Sequence, residues 1–182
     1  MLCRRVAERD EGAFETLVER HQQRAYRLAW SILGDREEAK DLSQEAFLRL
    51  YEKAGSFDGR AKFSTWFHRL LVNLCLDRRR QSQSWLRRLF RPEGSDDATE
   101  ILEQQPAPMD DPATTVGRKQ MMSKLWKAAD RLSAQQRAAL VLQIEEDLPT
   151  SEIASVLRCS EATVRVHLHR AVSTLRTLLA KE

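Results

Sequence analysis

The chain has 182 residues, 42% of them hydrophobic and 31% charged, with 30 Lys and Arg against 27 Asp and Glu. Its longest apolar run, residues 138–142, falls far short of the roughly 18 residues of a spanning helix. Met1-Leu2-Cys3-Arg4-Arg5 leaves no apolar h-region, and three scattered cysteines (Cys3, Cys75, Cys159) with no Cys-x-x-Cys argue against a secreted disulfide scaffold. Six Gly and five Pro are about half the usual share, so sheets and turn-rich folds are disfavoured. The expectation is an all-α cytoplasmic protein.

In chain order, Phe14, Leu17, Val18, His21, Ala25, Leu28, Ala29 and Ile32 recur at three-and-four spacing, the stripe of an amphipathic helix. Gly34-Asp35 ends it. Ala39, Leu42, Ala46, Phe47, Leu50 and Tyr51 predict a second helix, and Gly55 to Lys62 a loop. Ser64 or Thr65 is the expected cap of a third, carrying Trp66, Leu70, Asn73, Leu74 and Asp77. Together these make a three-to-four-helix bundle.

The third helix and its leading loop hold nine basic residues between Arg60 and Arg91 and one acid, Asp77. Phe63, Trp66 and Phe67 sit among them. Cations interleaved with rings suit single-stranded nucleic acid, because the cations follow phosphates and the rings stack on bases. The plainer reading puts Trp66 and Phe67 in the core beneath a solvated basic face.

Residues 92–118 then carry one Arg and seven acids, net −6, between blocks of net +6 (1–91) and +3 (119–182). Four of the five prolines lie there, and no helical period does. Such a composition buries too little to offset ordering entropy. A flexible acidic linker is expected over 82–118, with Trp85-Leu86 and Leu89-Phe90 as a short helix at its start. It separates an N-terminal domain (1–81) from a C-terminal one (119–182).

In the C-terminal domain, Leu125, Ala128, Ala129 and Leu132 predict one helix, and Ser133 caps a second containing Ala138, Leu140, Val141, Leu142 and Ile144. Pro149 opens a short third helix with Ile153 and Ala154. Arg158-Cys159-Ser160 is a three-residue turn, and Ser160 caps the last helix. Two short helices joined in this way read as a helix-turn-helix. By period, Val164, Leu168, Ala171, Val172 and Leu175 face the core, and Arg165, Val166, His169, Arg170 and Ser173 face outward. Arginine can donate two bonds to guanine, and valine can touch a thymine methyl.

Three runs now resemble, in order and spacing, a bacterial RNA polymerase sigma factor of the extracytoplasmic-function group. Gly34–Tyr51 (GDREEAKDLSQEAFLRLY) is similar to the family's region two, where core polymerase docks. Phe63–Arg80 (FSTWFHRLLVNLCLDRRR) is similar to its promoter-melting and −10-reading segment. Leu148–Ala171 (LPTSEIASVLRCSEATVRVHLHRA) is similar to its −35-reading region four. The resemblance implies polymerase contacts at Asp41, Gln44 and Phe47. It implies −10 and melting contacts at Arg60, Lys62, Phe63, Ser64, Thr65, Trp66, Arg69, Asn73, Arg78 and Arg80, with the loop Phe57–Phe63 cradling a flipped base. It implies −35 contacts at Thr163, Arg165, Val166, His169 and Arg170.

The implied partners are core RNA polymerase (β and β′ subunits), promoter DNA and an anti-sigma factor, with no cofactor, metal, membrane insertion or small-molecule substrate. The acidic linker resembles the segment such factors thread through the polymerase's nucleic-acid channels. Lys40, Arg158, Ala162 and the pair Val166-His167 depart from the family pattern, and only the last pair touches the reading face. A stand-alone helix-turn-helix regulator is the alternative, but it leaves the region-two run unexplained. Enzyme motifs of the HExxH, P-loop and GxSxG types are absent.

Overall fold

The computed structural model describes residues 2–89, with side chains to residue 82, and residues 128–180. The N-terminal unit comprises α1 (Leu2–Ala7), α2 (Glu11–Leu33), α3 (Arg36–Lys53), a 3-10 turn (Ala54–Ser56) and α4 (Phe63–Leu89). The C-terminal unit comprises a helical turn at 128–130, then α5 (Ala134–Ile144), α6 (Thr150–Leu157) and α7 (Glu161–Leu179). No strand occurs among the described residues.

Local chemistry sets the boundaries. Asp10 and Asp35 cap α2 and α3 by accepting from the Ala13 and Glu38 N–H groups. Ser133 and Gln136 form a reciprocal capping box on α5, and Ser160 accepts from the Thr163 N–H to start α7. Gly34 ends α2 in the left-handed region (φ 82°), where a β-carbon would also stand 3.4 Å from Asp130 Oδ1.

Several expectations change. α4 begins at Phe63, so Ser64 and Thr65 lie inside its first turn and do not cap it; the Thr65 hydroxyl is spent on Glu152. α4 also continues without a break to Leu89, so Trp85-Leu86 belongs to its last turns. α1 adds a helix that buries Cys3 and Val6. Val172 is 47% exposed, because the core stripe of α7 is Val164, Leu168, Ala171 and Leu175, and Val172 lies 100° round the helix from Ala171. Ile144 is exposed at the end of α5. The acidic stretch, Phe90 and Leu125 lie outside the described residues.

The two units share one hydrophobic core. Leu28, Ile32, Leu50, Phe67 and Leu71 from the first continue into Leu142, Ile153, Val156 and Val164 from the second. A smaller cluster joins Ala128, Ala129 and Leu132 to Ala171 and Leu175. α5 packs on α2 and α4, and α6 packs on α4.

Polar contacts reinforce that seam. Arg137, 2% exposed, pairs with Asp130 and donates from Nε to the Ser31 carbonyl at 2.6 Å. Arg79 on α4 donates to the next carbonyl, Ile32, at 2.7 Å. Each unit thus supplies one guanidinium to the C-terminal end of α2, where the helix dipole is negative and carbonyls lack partners. Desolvation lowers both arginines' pKa, that of Arg79 to about 10, which leaves Arg79 charged at neutral pH.

Candidate nucleic-acid interface

The last two helices form the expected motif. α6 ends at Leu157, and Arg158, the left-handed C-cap of α6 at φ 53°, opens the turn Arg158-Cys159-Ser160 into α7. Ile153, Ala154, Val164 and Leu168 are buried between the two helices. Arg165, Val166, His169 and Arg170 all stand exposed along one side of α7, and Thr163 is half-buried beside its cap. Arg165 rests against Glu161 at 3.1 Å, a surface pair of small energetic value that leaves the guanidinium available. Val166 exposes a methyl surface amid donors, the mixture that base edges in a major groove present.

The second basic surface lies at the start of α4. Phe57, Phe63 and Trp66 are half-buried and in mutual contact: Phe57 meets Phe63 edge to face, and Phe57–Trp66 centroids lie 5.3 Å apart with the rings tilted. Phe63 stacks on Phe67 (6.0 Å, 4° between planes), and Phe67 is fully buried against Phe47. Phe67 is core, as the plainer reading expects, and Trp66 and Phe63 form a rim between core and solvent. Arg60 projects into solvent beside Asp58, and Lys62 and Thr65 meet Glu152 of α6. Ser64 is half-buried.

Further along α4, Arg69 and Asn73 are half-buried, Arg78 lies near Glu38 at 3.5 Å, and Arg80 pairs with Asp77. Asn73 and Arg80 line an open groove of about 620 Å³ between the units, with Arg49, Lys53, Arg158 and His167.

Asp41 and Gln44 are exposed on α3, and Phe47 turns inward against Phe67. Leu48, 63% exposed, takes the outward place: it lies one turn beyond Gln44 and two beyond Asp41 on the same face. A leucine out of register with the stripe Leu42, Ala46, Leu50 was its signal in the sequence.

One histidine, His68, is buried whole, and a second, His167, is half-buried. His68 has an Nδ1 without a partner and Nε2 3.3 Å from Glu146 Oε2. Desolvation, then the Arg24 charge, lowers its pKa to about 4, so it is neutral. His167 also has a buried, unpartnered Nδ1, and burial lowers its pKa. Burial raises the thiol pKa of Cys75 to about 12 and also raises that of Cys159. Among the described residues, no cluster of His, Cys, Asp and Glu could hold a metal ion, and no helix is long and apolar enough to cross a membrane.

With this geometry in hand, two family models match: Sigma-70 region 2 over residues 17–86 and Sigma-70 region 4 over residues 122–175. The ECF RNA polymerase sigma factor SigW of Bacillus subtilis is 30% identical over 97% of this chain and 94% of its own. The chain belongs to the ECF sigma factors. The RNA polymerase sigma-H factor of Pseudomonas aeruginosa is 31% identical over 93% of this chain and 88% of its own.

In fold, this sigma factor is similar to CnrH, solved with the cytosolic domain of CnrY (TM-score 0.69, 21% identity, 100% and 96% of the two chains). It is also similar to RpoE of Bartonella quintana, solved with the anti-sigma factor NepR (TM-score 0.66, 19% identity, 92% and 96%). The all-α, two-unit architecture is thus that of the family. The sigma factor is a transcription initiation factor.

Proposed function

We propose that this sigma factor binds core RNA polymerase through the α3 face of Asp41, Gln44 and Leu48, and directs it to promoters through two separate DNA surfaces. α7 enters the major groove at −35 and presents Thr163, Arg165, Val166, His169 and Arg170. The start of α4 takes the non-template strand at −10. Arg60, Lys62, Ser64, Thr65, Arg69, Asn73, Arg78 and Arg80 serve its phosphates and base edges, and Phe63 and Trp66 stack on unpaired bases as the duplex opens. Phe47 acts from the core, holding α3 against α4.

Region 2 occupies 1–81 and region 4 occupies 119–182, with 82–118 as a connector that α4 enters as far as Leu89. The chain itself catalyses no reaction, works in the cytoplasm and is held in check by an anti-sigma partner. The relative RpoE, solved with NepR, supports that last assignment.

The observation that carries the reading is the exposed row Arg165, Val166, His169 and Arg170 on the second helix of a capped helix-turn-helix. Run-off transcription with purified core polymerase and a pool of promoter fragments tests it. Transcripts that depend on the chain, and that share a −35 and a −10 element, are expected. A folded chain that fails to bind core polymerase would overturn the reading.

A further inference from the structure

Arg165 does not stand alone on the outward face of α7. Its Nη2 lies 3.1 Å from Oε2 of Glu161, one turn nearer the N-terminus. Glutamate first and arginine four residues later is the favourable order on a helix. The same Oε2 takes a long bond, 3.4 Å, from the hydroxyl of Thr150, the first residue of α6. One carboxylate oxygen thus ties both helices of the motif to the arginine.

The carboxylate has a firm base. Glu161 is the first residue of α7, where a negative charge faces the positive end of the helix dipole. Ser160 fixes that turn: its Oγ accepts from the Thr163 N–H at 3.1 Å and lies 2.8 Å from the Thr163 hydroxyl. Both Glu161 and Arg165 stay exposed, so their pair adds little to stability. What it supplies is position.

A guanidinium carries five N–H groups, and guanine takes two of them, at O6 and N7. Glu161 engages Nη2 alone and leaves a forked edge of Arg165 open. An arginine that swings freely has to be ordered on binding, and it can settle on a phosphate instead of a base. One held by a carboxylate is ordered beforehand. The same carboxylate repels the phosphate backbone, which weakens binding to every sequence alike.

We propose that Glu161 is a positioning residue for −35 recognition. It aims Arg165 at a guanine edge and away from phosphates, so it raises sequence discrimination while lowering raw affinity for DNA. The inference rests on the assignment of Arg165 to the −35 bases.

The test uses holoenzyme reconstituted from purified core polymerase and the full chain, with duplex fragments of one active promoter in which each −35 base pair is replaced in turn. Competition binding gives the preference at each position, and a fragment with a scrambled −35 element gives the raw affinity. Arg165→Ala locates the guanine that the arginine reads, as the position where preference is lost. Glu161→Gln is expected to lower the preference there by about fivefold, within the roughly 5- to 150-fold that a bidentate arginine supplies. It should also tighten binding to the scrambled fragment by about twofold. Glu161→Asp keeps the charge and the favourable helix start but withdraws the carboxylate by one methylene. It should lower the same preference by about threefold, with no gain on the scrambled fragment. In an Arg165→Ala background, Glu161→Gln should change no preference by more than about twofold.

A preference retained in both Glu161 variants would overturn the positioning role. So would a Glu161→Gln loss that is equal at every position, the mark of a damaged motif. A change that survives in the Arg165→Ala background would make Glu161 itself a reader of a cytosine amino group, and would overturn it too. Failure of the parent assignment looks different: Arg165→Ala then weakens all −35 sequences alike, Glu161 has no guanine contact to position, and the inference falls with it.

Discussion

His68 shows how a single side chain reports the seam between the units. Unfolded, its imidazole titrates near 6.5; folded, burial and the Arg24 charge bring it to about 4. Between those values the unfolded chain binds more protons. His68 therefore contributes stability that is complete above about pH 6.5 and is lost as pH falls toward 4, by roughly 3 kcal/mol at most. Glu146, raised by burial, acts with the opposite sign above its ordinary value, which shallows the slope. The urea midpoint should fall between pH 6.5 and 4.5, and His68→Leu should flatten that fall. An equal slope in the variant would place the proton uptake elsewhere. Little of this was legible in the sequence: His68 lies between Phe67 and Arg69 on an ordinary helix, and its partner Glu146 is far along the chain. Leu48 was missed as well, although a helical period says which leucine is out of place.

Elements were the most legible scale, since caps and periods are local. Ser133 and Ser160 each start a helix where their short oxygen-bearing side chains predict it, and Asp35, read only as a breaker, caps another. The miss at Thr65 has a physical cause: a hydroxyl can cap or can bond a distant carboxylate, and here the distant bond wins. Two helices carry predictions. Arg165→Ala on α7 should cost about 1–3 kcal/mol in promoter binding if the guanidinium pairs with a base. A loss equal across all −35 sequences would mean a phosphate contact, read from binding to a panel of substituted promoters. On α3, Leu48→Glu should leave the thermal midpoint within a degree or two, because the side chain is exposed. The same change should sharply weaken core polymerase binding in a pull-down or by fluorescence anisotropy.

At the scale of the molecule, one core runs through both units, so the chain should unfold in one transition despite its two family regions. Differential scanning calorimetry should give a single peak whose van't Hoff and calorimetric enthalpies agree. Arg137→Ala should split or broaden that peak and cost about 3 kcal/mol. It removes a buried guanidinium from the Ser31 carbonyl and from Asp130, and Asp130, about a third exposed, recovers part of its hydration. This closed pairing was the least legible feature. Ser31–Arg137, Arg24–Glu146 and Thr65–Glu152 join residues that no spacing rule connects.

Arg158 extends the same theme into the chain's history. It holds a left-handed backbone that glycine adopts freely and that other residues adopt at a cost of about 1 kcal/mol. Mutation toward glycine would relieve that strain, yet an arginine stands there, with its guanidinium lining the groove between the units beside Lys53 and His167. What arginine supplies at this position is charge and reach into the groove, at the expense of the turn. Arg158→Gly is therefore a substitution by which a descendant of this protein would gain thermal tolerance and lose a surface cation in one step.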